Sequence, residues 1–281
     1  MLDVEMGYLA KFRRLREQVA GLPGAVVALS GGVDSAVLLH VCAEALGPDR
    51  VVAFTADSPA VPRSELEDAA GLARLVGVAH QRVPTHEMDL PDFACNTPRR
   101  CAACKAHLVE RFQEVARERG LSWPLLLGAH ADDLGEHRPG EEVARLMGVR
   151  MPLQEAGITK DEIRGYARKF WLPAWDKPSS PCLATRIRTG DPITVERLGR
   201  VEAAEAALHA LGLRHVRVRD HGELARVEMP LEKIPAAAAP PLRQKIVAAL
   251  VGAGFRHATL DLSGYTQGSM AQGPRDAAGL G

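Results

Sequence analysis

Three groups of residues have types and spacings suited to chemistry. The first is Ser30-Gly31-Gly32-Val33-Asp34-Ser35, which follows the apolar run Ala25–Leu29 and precedes a helical pattern with Val37, Leu38, Val41 and Leu46 on one face. Strand, glycine turn and helix start together aim backbone N–H groups at an anion, and paired glycines let the backbone come close because no Cβ intervenes. Ser30 and Ser35 add hydroxyl donors, and no lysine follows the glycines, which excludes a Walker-type NTPase loop. The second group is cysteines: Cys101-Ala102-Ala103-Cys104, flanked by Arg99, Arg100 and Lys105, and Cys182 close to Arg186. Cationic neighbours and a helix start favour the thiolate that ligates metal or attacks. Taken alone, the Cys-x-x-Cys is open to zinc, redox, cluster or inert-thiol readings. The third group is ionic. Asp132-Asp133 closes the apolar stretch Trp123–Leu127 and its Gly128 turn, and suits magnesium, whose octahedron takes carboxylate, phosphate and water oxygens. Arg217 and Arg219 alternate with Val216 and Val218, so both guanidiniums leave one strand face and could fork a phosphate. The plainer alternatives are a solvated acidic turn and a solvated strand face.

These residues need a scaffold, and the hydrophobic pattern supplies one. Residues 4–20 read as an amphipathic helix through Leu9, Phe12, Leu15 and Val19. Strands are expected at 25–29, 51–55, 80–83 and 123–127, separated by helices that include 64–76 and 105–119. Alternation of buried strands with helices predicts a parallel sheet, whose ligands bind at the carboxyl ends of the strands. Thr55 and Ser58 lie at such an end and are candidate adenosine contacts, as is Gly128 for the nucleotide. Thr159 with Glu162 has the form of a capping box for a helix to about residue 170. Pro178 and Pro181 exclude a regular helix around Cys182. Beyond residue 192 the pattern changes to a helix capped by Thr194, strands at 213–219 and 224–229, an Ala/Pro loop at 236–241, a helix at 241–252 and a strand at 258–262. The expected fold is therefore α/β: a parallel-sheet domain over 1–190, a small α+β domain over 191–265, and a flexible tail over 266–281.

Composition narrows the class. The chain has 281 residues, 46% of them hydrophobic, which is ample for a core. Its 35 basic and 35 acidic residues cancel, which weighs against nucleic acid as a partner. No apolar run reaches a membrane span, and the acidic N-terminus is unlike a signal peptide, so a cytoplasmic enzyme is expected. Its five cysteines then point to metal or reactive roles rather than disulfides. Cys42 reads as core and Cys95 as a bystander.

The hexapeptide Ser30–Ser35 resembles the PP-loop of ATP pyrophosphatases, which cleave ATP between the α and β phosphates and adenylate a substrate oxygen. With it, Asn96-Thr97-Pro98, Cys104-Lys105, Arg138-Pro139-Gly140, Lys177-Pro178, Leu183-Ala184-Thr185-Arg186, Arg217-Val218-Arg219 and Leu260-Asp261-Leu262-Ser263-Gly264-Tyr265 occur in order. Together they resemble the LarE family of ATP-dependent sulfur transferases, from about residue 10 to 270. The resemblance implies ATP and magnesium as cofactors, with the phosphates on Ser30, Gly31, Gly32, Val33, Asp34 and Ser35, and magnesium near Asp34 or Asp132 and Asp133. It implies pyridinium-3,5-biscarboxylate mononucleotide as substrate, with Thr185, Arg186, Glu205, Arg217 and Arg219 in its pocket, and thiocarboxylate formation for the nickel-pincer nucleotide of lactate racemase. Some members sacrifice the sulfur of a single cysteine. The presence of Cys101 and Cys104 beside Cys182 resembles the branch in which three thiolates hold a 4Fe-4S cluster whose open iron delivers sulfide. Relatives also imply a homo-oligomer. The alternatives are a structural zinc on the same thiolates, a tRNA thiolation enzyme with a PP-loop and cluster, an ammonia-using synthetase, and a nucleotide sensor.

Overall fold

A computed structural model describes residues 2–134, 138–178 and 180–265, with the side chains of 2–7 and of Leu9 left aside. The expected tail at 266–281 lies outside the described residues. In chain order the elements are α1 (Leu2–Ala20), β1 (Ala25–Ala28), α2 (Val33–Leu46), β2 (Val51–Asp57), α3 (Arg63–Val76), β3 (Ala79–Pro84), α4 (Pro91–Ala94), α5 (Arg100–Glu118), β4 (Leu125–Leu126), α6 (Pro139–Leu146), α7 (Pro152–Glu155), α8 (Lys160–Lys169), α9 (Val195–Ala210), β5 (Arg217–His221), β6 (Leu224–Glu228), α10 (Ile234–Ala238), α11 (Leu242–Gly252) and β7 (His257–Leu260). They fall into two compact units. The first takes the described residues of Met1–Glu87 and Cys101–Ser180, the second those of Met88–Arg100 and Pro181–Gly281.

In the first unit the strands are parallel in the order β3-β2-β1-β4. Strand β1 is central and apolar on both faces, as a strand covered by helices on both sides must be. Ala25, Val27 and Leu29 pack with Phe12, Leu15, Leu38 and Leu72 from α1, α2 and α3, whereas Val26 packs with Val109 and Phe112 from α5. Strand β4 is shorter than the expected 123–127. Pro124 has no N–H to give, and Leu127 turns its N–H to the Arg150 carbonyl. The capping box forms as expected: Thr159 accepts from the Glu162 N–H and Glu162 returns to the Thr159 N–H. Helix α5 starts at Arg100, five residues before the sequence pattern suggested, so Cys101 and Cys104 lie in its opening turns. No helix among the described residues is long and apolar enough to cross a membrane.

In the second unit β5 pairs antiparallel with β6, and β6 parallel with β7. Helix α9 packs on β5, and α11 packs on both β7 and α9. Thr194 caps α9 by accepting from the Arg197 N–H. The expected Ala/Pro loop is instead partly helical: α10 starts with Pro235 in its first turn, where a missing N–H costs nothing, and alanine favours the rest.

Asn96 is the hub of this unit's inserted segment. It is fully buried, with a left-handed φ of 51°. Its Nδ2 donates to the Arg188 carbonyl at 2.8 Å, its Oδ1 accepts from Arg100 Nη1 at 2.6 Å, and its own carbonyl accepts from the Gly190 N–H at 2.9 Å. Alanine at this position would take a partner from the Arg188 carbonyl and from Arg100 Nη1 and would hold the left-handed φ without the local bonds that asparagine makes. Urea unfolding of Asn96→Ala is expected to report a loss of about 2–4 kcal/mol; a loss below about 0.5 kcal/mol would contradict the hub.

Candidate functional site

The Ser30–Ser35 turn leaves β1 at the carboxyl edge of the parallel sheet, where such sheets place ligands. Ser35, almost fully buried, folds the turn on itself: its Oγ accepts from the Ser30 N–H at 3.2 Å and donates to the Gly32 carbonyl at 3.0 Å. Gly32 is the N-cap of α2 and has no side chain to satisfy the first-turn amides. Those amides and the helix dipole therefore face the loop opening with no internal cap, the arrangement that receives phosphate. Gly31 is at φ 78°, a conformation glycine takes without penalty, and a Cβ there would sit 2.9 Å from the Glu65 carbonyl oxygen.

Two lysines reach this loop: Lys160, noted in the sequence only beside a capping box, and Lys177, noted only as part of the Lys177-Pro178 motif with no role assigned. Lys160 is the first residue of α8, and its Nζ contacts both Asp34 carboxylate oxygens at 2.6 and 2.7 Å while its backbone N–H donates to Asp132 Oδ2 at 2.7 Å. Lys177 donates to Glu65 Oε2 at 2.7 Å, Asp68 Oδ2 at 2.6 Å and the Gly31 carbonyl at 3.3 Å. The signal for Lys160 was its place directly after the Thr159 cap. For Lys177 it was the proline behind it, which holds the segment out of a helix.

Gly128 sits where β4 ends and packs on the loop itself: a Cβ there would lie 2.8 Å from the Ser35 nitrogen and 3.1 Å from its Cα. Thr55 directs its hydroxyl to the Leu29 carbonyl at 2.7 Å, and Ser58 donates to the buried Glu87 carboxylate. These hydroxyls thus brace the sheet edge. The two acids that follow Gly128 differ. Asp133 is buried, accepts the His130 N–H at 2.9 Å and pairs with Arg138 at 2.7 Å, whereas the Asp132 side chain is half exposed. Asp132 is accordingly the more accessible of this pair, while both oxygens of Asp34 are held by Lys160; a magnesium bound to a triphosphate needs only one or two carboxylates from a protein.

Cys101 and Cys104 stand one turn apart on α5, against the start of α6: a Cβ on Gly140 would lie 3.2 Å from the Cys101 carbonyl oxygen and 3.3 Å from the Lys105 Cβ. Their soft thiols at a helix start beside cations suit iron or zinc. They belong to the first unit and Cys182 to the second, and the described residues contain no group of three His, Cys, Asp or Glu side chains placed to hold a metal. Cys42 is buried in the core, where burial pushes its thiol up to about 12, and Cys95 is exposed.

In the second unit Arg186, only 1% exposed, is fully engaged. Its Nε and Nη2 meet the two Glu205 oxygens at 3.0 and 2.9 Å, and its Nη1 donates to the Pro181 carbonyl at 2.6 Å, the Cys182 carbonyl at 3.2 Å and Thr185 Oγ1 at 3.0 Å. Glu205 also accepts the Val218 N–H at 3.0 Å. Arg186 therefore shapes the turn that carries Cys182. Arg217 and Arg219 share a face of β5 as expected, but the face is buried rather than solvated. Arg219 donates to Glu228 at 2.7 Å and to the Thr185 carbonyl at 3.0 Å. Arg217 lies over the Tyr265 ring at 5.8 Å. Burial, then repulsion from Arg186, lowers the Arg217 pKa. The guanidiniums of Arg186 and Arg219 thus meet the carboxylates of Glu205 and Glu228, with Arg217 beside them on β5.

Comparison with known proteins divides along the chain. The NAD synthase family matches residues 7–118. An NH(3)-dependent NAD(+) synthetase of Thermotoga maritima is 44% identical over 59 residues, 21% of either chain. Other relatives extend much further. An uncharacterised protein of Synechocystis sp. is 40% identical over 261 residues, 93% of this chain and 97% of that one. The pyridinium-3,5-bisthiocarboxylic acid mononucleotide synthase of Lactiplantibacillus plantarum is 32% identical over 244 residues, 87% of either chain.

Proposed function

Because the chain belongs to the family of the pyridinium-3,5-bisthiocarboxylic acid mononucleotide synthase, we propose that it is an ATP-dependent sulfurtransferase acting on pyridinium-3,5-biscarboxylic acid mononucleotide. The observation that carries this reading is that the similarity runs through both units, where the ammonia-using synthetase matches only a fifth of the chain. The phosphates of ATP lie on the Ser30–Ser35 turn and the start of α2, with Asp34 and Asp132 toward magnesium and Lys160 between them. A substrate carboxylate oxygen attacks the α-phosphorus, the bond to the bridging oxygen breaks, and pyrophosphate leaves. Hydrosulfide then attacks the acyl carbon of the adenylate, a C–S bond replaces the C–O bond, and AMP leaves. Holding the reactants in line and neutralising charge do most of the work in such transfers. Arg217 takes the substrate phosphate, and Thr185, Arg186, Glu205 and Arg219 hold it in place.

Sulfur handling falls to Cys101, Cys104 and Cys182. The donor chemistry of the three thiols suits a 4Fe-4S cluster: Cys101, Cys104 and Cys182 would hold it, and it would supply an iron position open to exogenous sulfide. A second reading, in which ammonia is the nucleophile, is favoured by the NAD synthase match over residues 7–118. The test is pyrophosphate release. The protein with ATP and magnesium is expected to form pyrophosphate and AMP only when the biscarboxylate mononucleotide is added. Release that ignores the mononucleotide, or needs a different acid, overturns the substrate assignment.

A further inference from the structure

We propose that Lys177 is a positioning residue that sets the peptide geometry of the ATP loop; this rests on the ATP-dependent reading above. The Lys177 ammonium has three donors and three acceptors, Glu65 Oε2, Asp68 Oδ2 and the Gly31 carbonyl, so each proton has a destination. The lysine side chain is 21% exposed and that of Glu65 9%, which makes this contact more than a surface ion pair.

The glycine is pinned from the same side. At φ 78° it lies so close to α3 that a Cβ would meet the Glu65 carbonyl oxygen at 2.9 Å and its Oε2 at 3.1 Å. Lys177 draws the Gly31 carbonyl toward α3. In a planar trans peptide the carbonyl and the following N–H point in opposite directions. The Gly32 N–H is thereby turned away from α3, and its one internal contact is a long 3.4 Å approach to Ser30 Oγ. That amide is what an incoming phosphate would complete.

The experiment uses the full chain and a readout that needs no sulfur transfer. Calorimetry measures ATP affinity without the acceptor. Lys177→Met is expected to bind ATP about tenfold more weakly, and Lys177→Arg to recover to within about threefold of the parent. A double variant, Lys177→Met with Glu65→Gln, removes the stranded carboxylate charge and keeps the test valid if the single variant fails to fold; its ATP affinity is expected to stay low. Parent-like affinity in Lys177→Met and in the double variant overturns the role of Lys177 while leaving the proposed function standing. A parent that does not bind ATP overturns both.

Discussion

Gly128→Ala is expected to lower the ATP-dependent rate by about a hundredfold, because the position tolerates no side chain. A Cβ there would lie 2.8 Å from the Ser35 nitrogen, 3.0 Å from the Asp34 carbonyl carbon and 3.1 Å from the Ser35 Cα. All three neighbours are backbone of the first turn of α2, which cannot rotate aside as a flexible side chain can. The loop must move by several tenths of an ångström, and displacements approaching 1 Å at a reacting centre cost about two orders of magnitude. The cost in stability is smaller, about 1–3 kcal/mol for a methyl forced into a packed site. The expected signature is thus a large loss of pyrophosphate formation in a protein that still folds, read by comparing initial rates with the melting temperature. Activity within threefold of the parent would mean that Gly128 does not set the loop.

For Glu205→Ala the expected loss is in stability first. Arg186 is 1% exposed, and Glu205 supplies a carboxylate partner at 2.9 and 3.0 Å, the only one among the described residues. Removing one partner of a buried pair leaves an uncompensated charge and costs about 3–5 kcal/mol. For a chain of this size that corresponds to a fall of about ten degrees in melting temperature. The Val218 N–H loses its acceptor as well, so the edge of β5 loosens. Because Arg186 also holds the carbonyls of Pro181 and Cys182, sulfur transfer is expected to fall while ATP affinity, which belongs to the first unit, stays unchanged. Glu205→Gln, which keeps the shape and one acceptor, is expected to lose less on both measures. A melting temperature within about a degree of the parent for Glu205→Ala would contradict the account of this pair.

What was legible in the sequence was local. A strand that stops at Ser30-Gly31-Gly32 and restarts as a helix is a pattern of neighbouring residues, and so are the caps at Thr159 and Thr194 and the alternation that puts Arg217 and Arg219 on one face. The start of α5 was misplaced because Arg100–Cys104 carries little apolar periodicity; the helix there is fixed by packing against Gly140 and by Arg100 bonding to Asn96 and the Ala184 carbonyl. Lys160 and Lys177 were illegible as functional residues for a related reason. Their partners Asp34 and Gly31 lie 126 and 146 positions away, and only the tertiary packing brings them together. The buried state of Arg217 and Arg219 was equally hidden, since alternation reports which residues share a face and not what covers that face. Thr55 and Ser58 sit at the predicted sheet edge, but their hydroxyls serve Leu29 and Glu87, a choice made by long-range register.

If this chain activates a carboxylate with ATP and replaces its oxygen with sulfur, the mass of the product will show it. The reaction contains pyridinium-3,5-biscarboxylic acid mononucleotide, ATP, magnesium and sulfide, and is run anaerobically with ammonium as a competing nucleophile. Sulfur-for-oxygen exchange at the carboxylate is expected, with one AMP per exchange and a Cys182 that keeps its sulfur through repeated turnovers. An amide as the product, or a mononucleotide recovered unchanged while ATP is consumed, would contradict it.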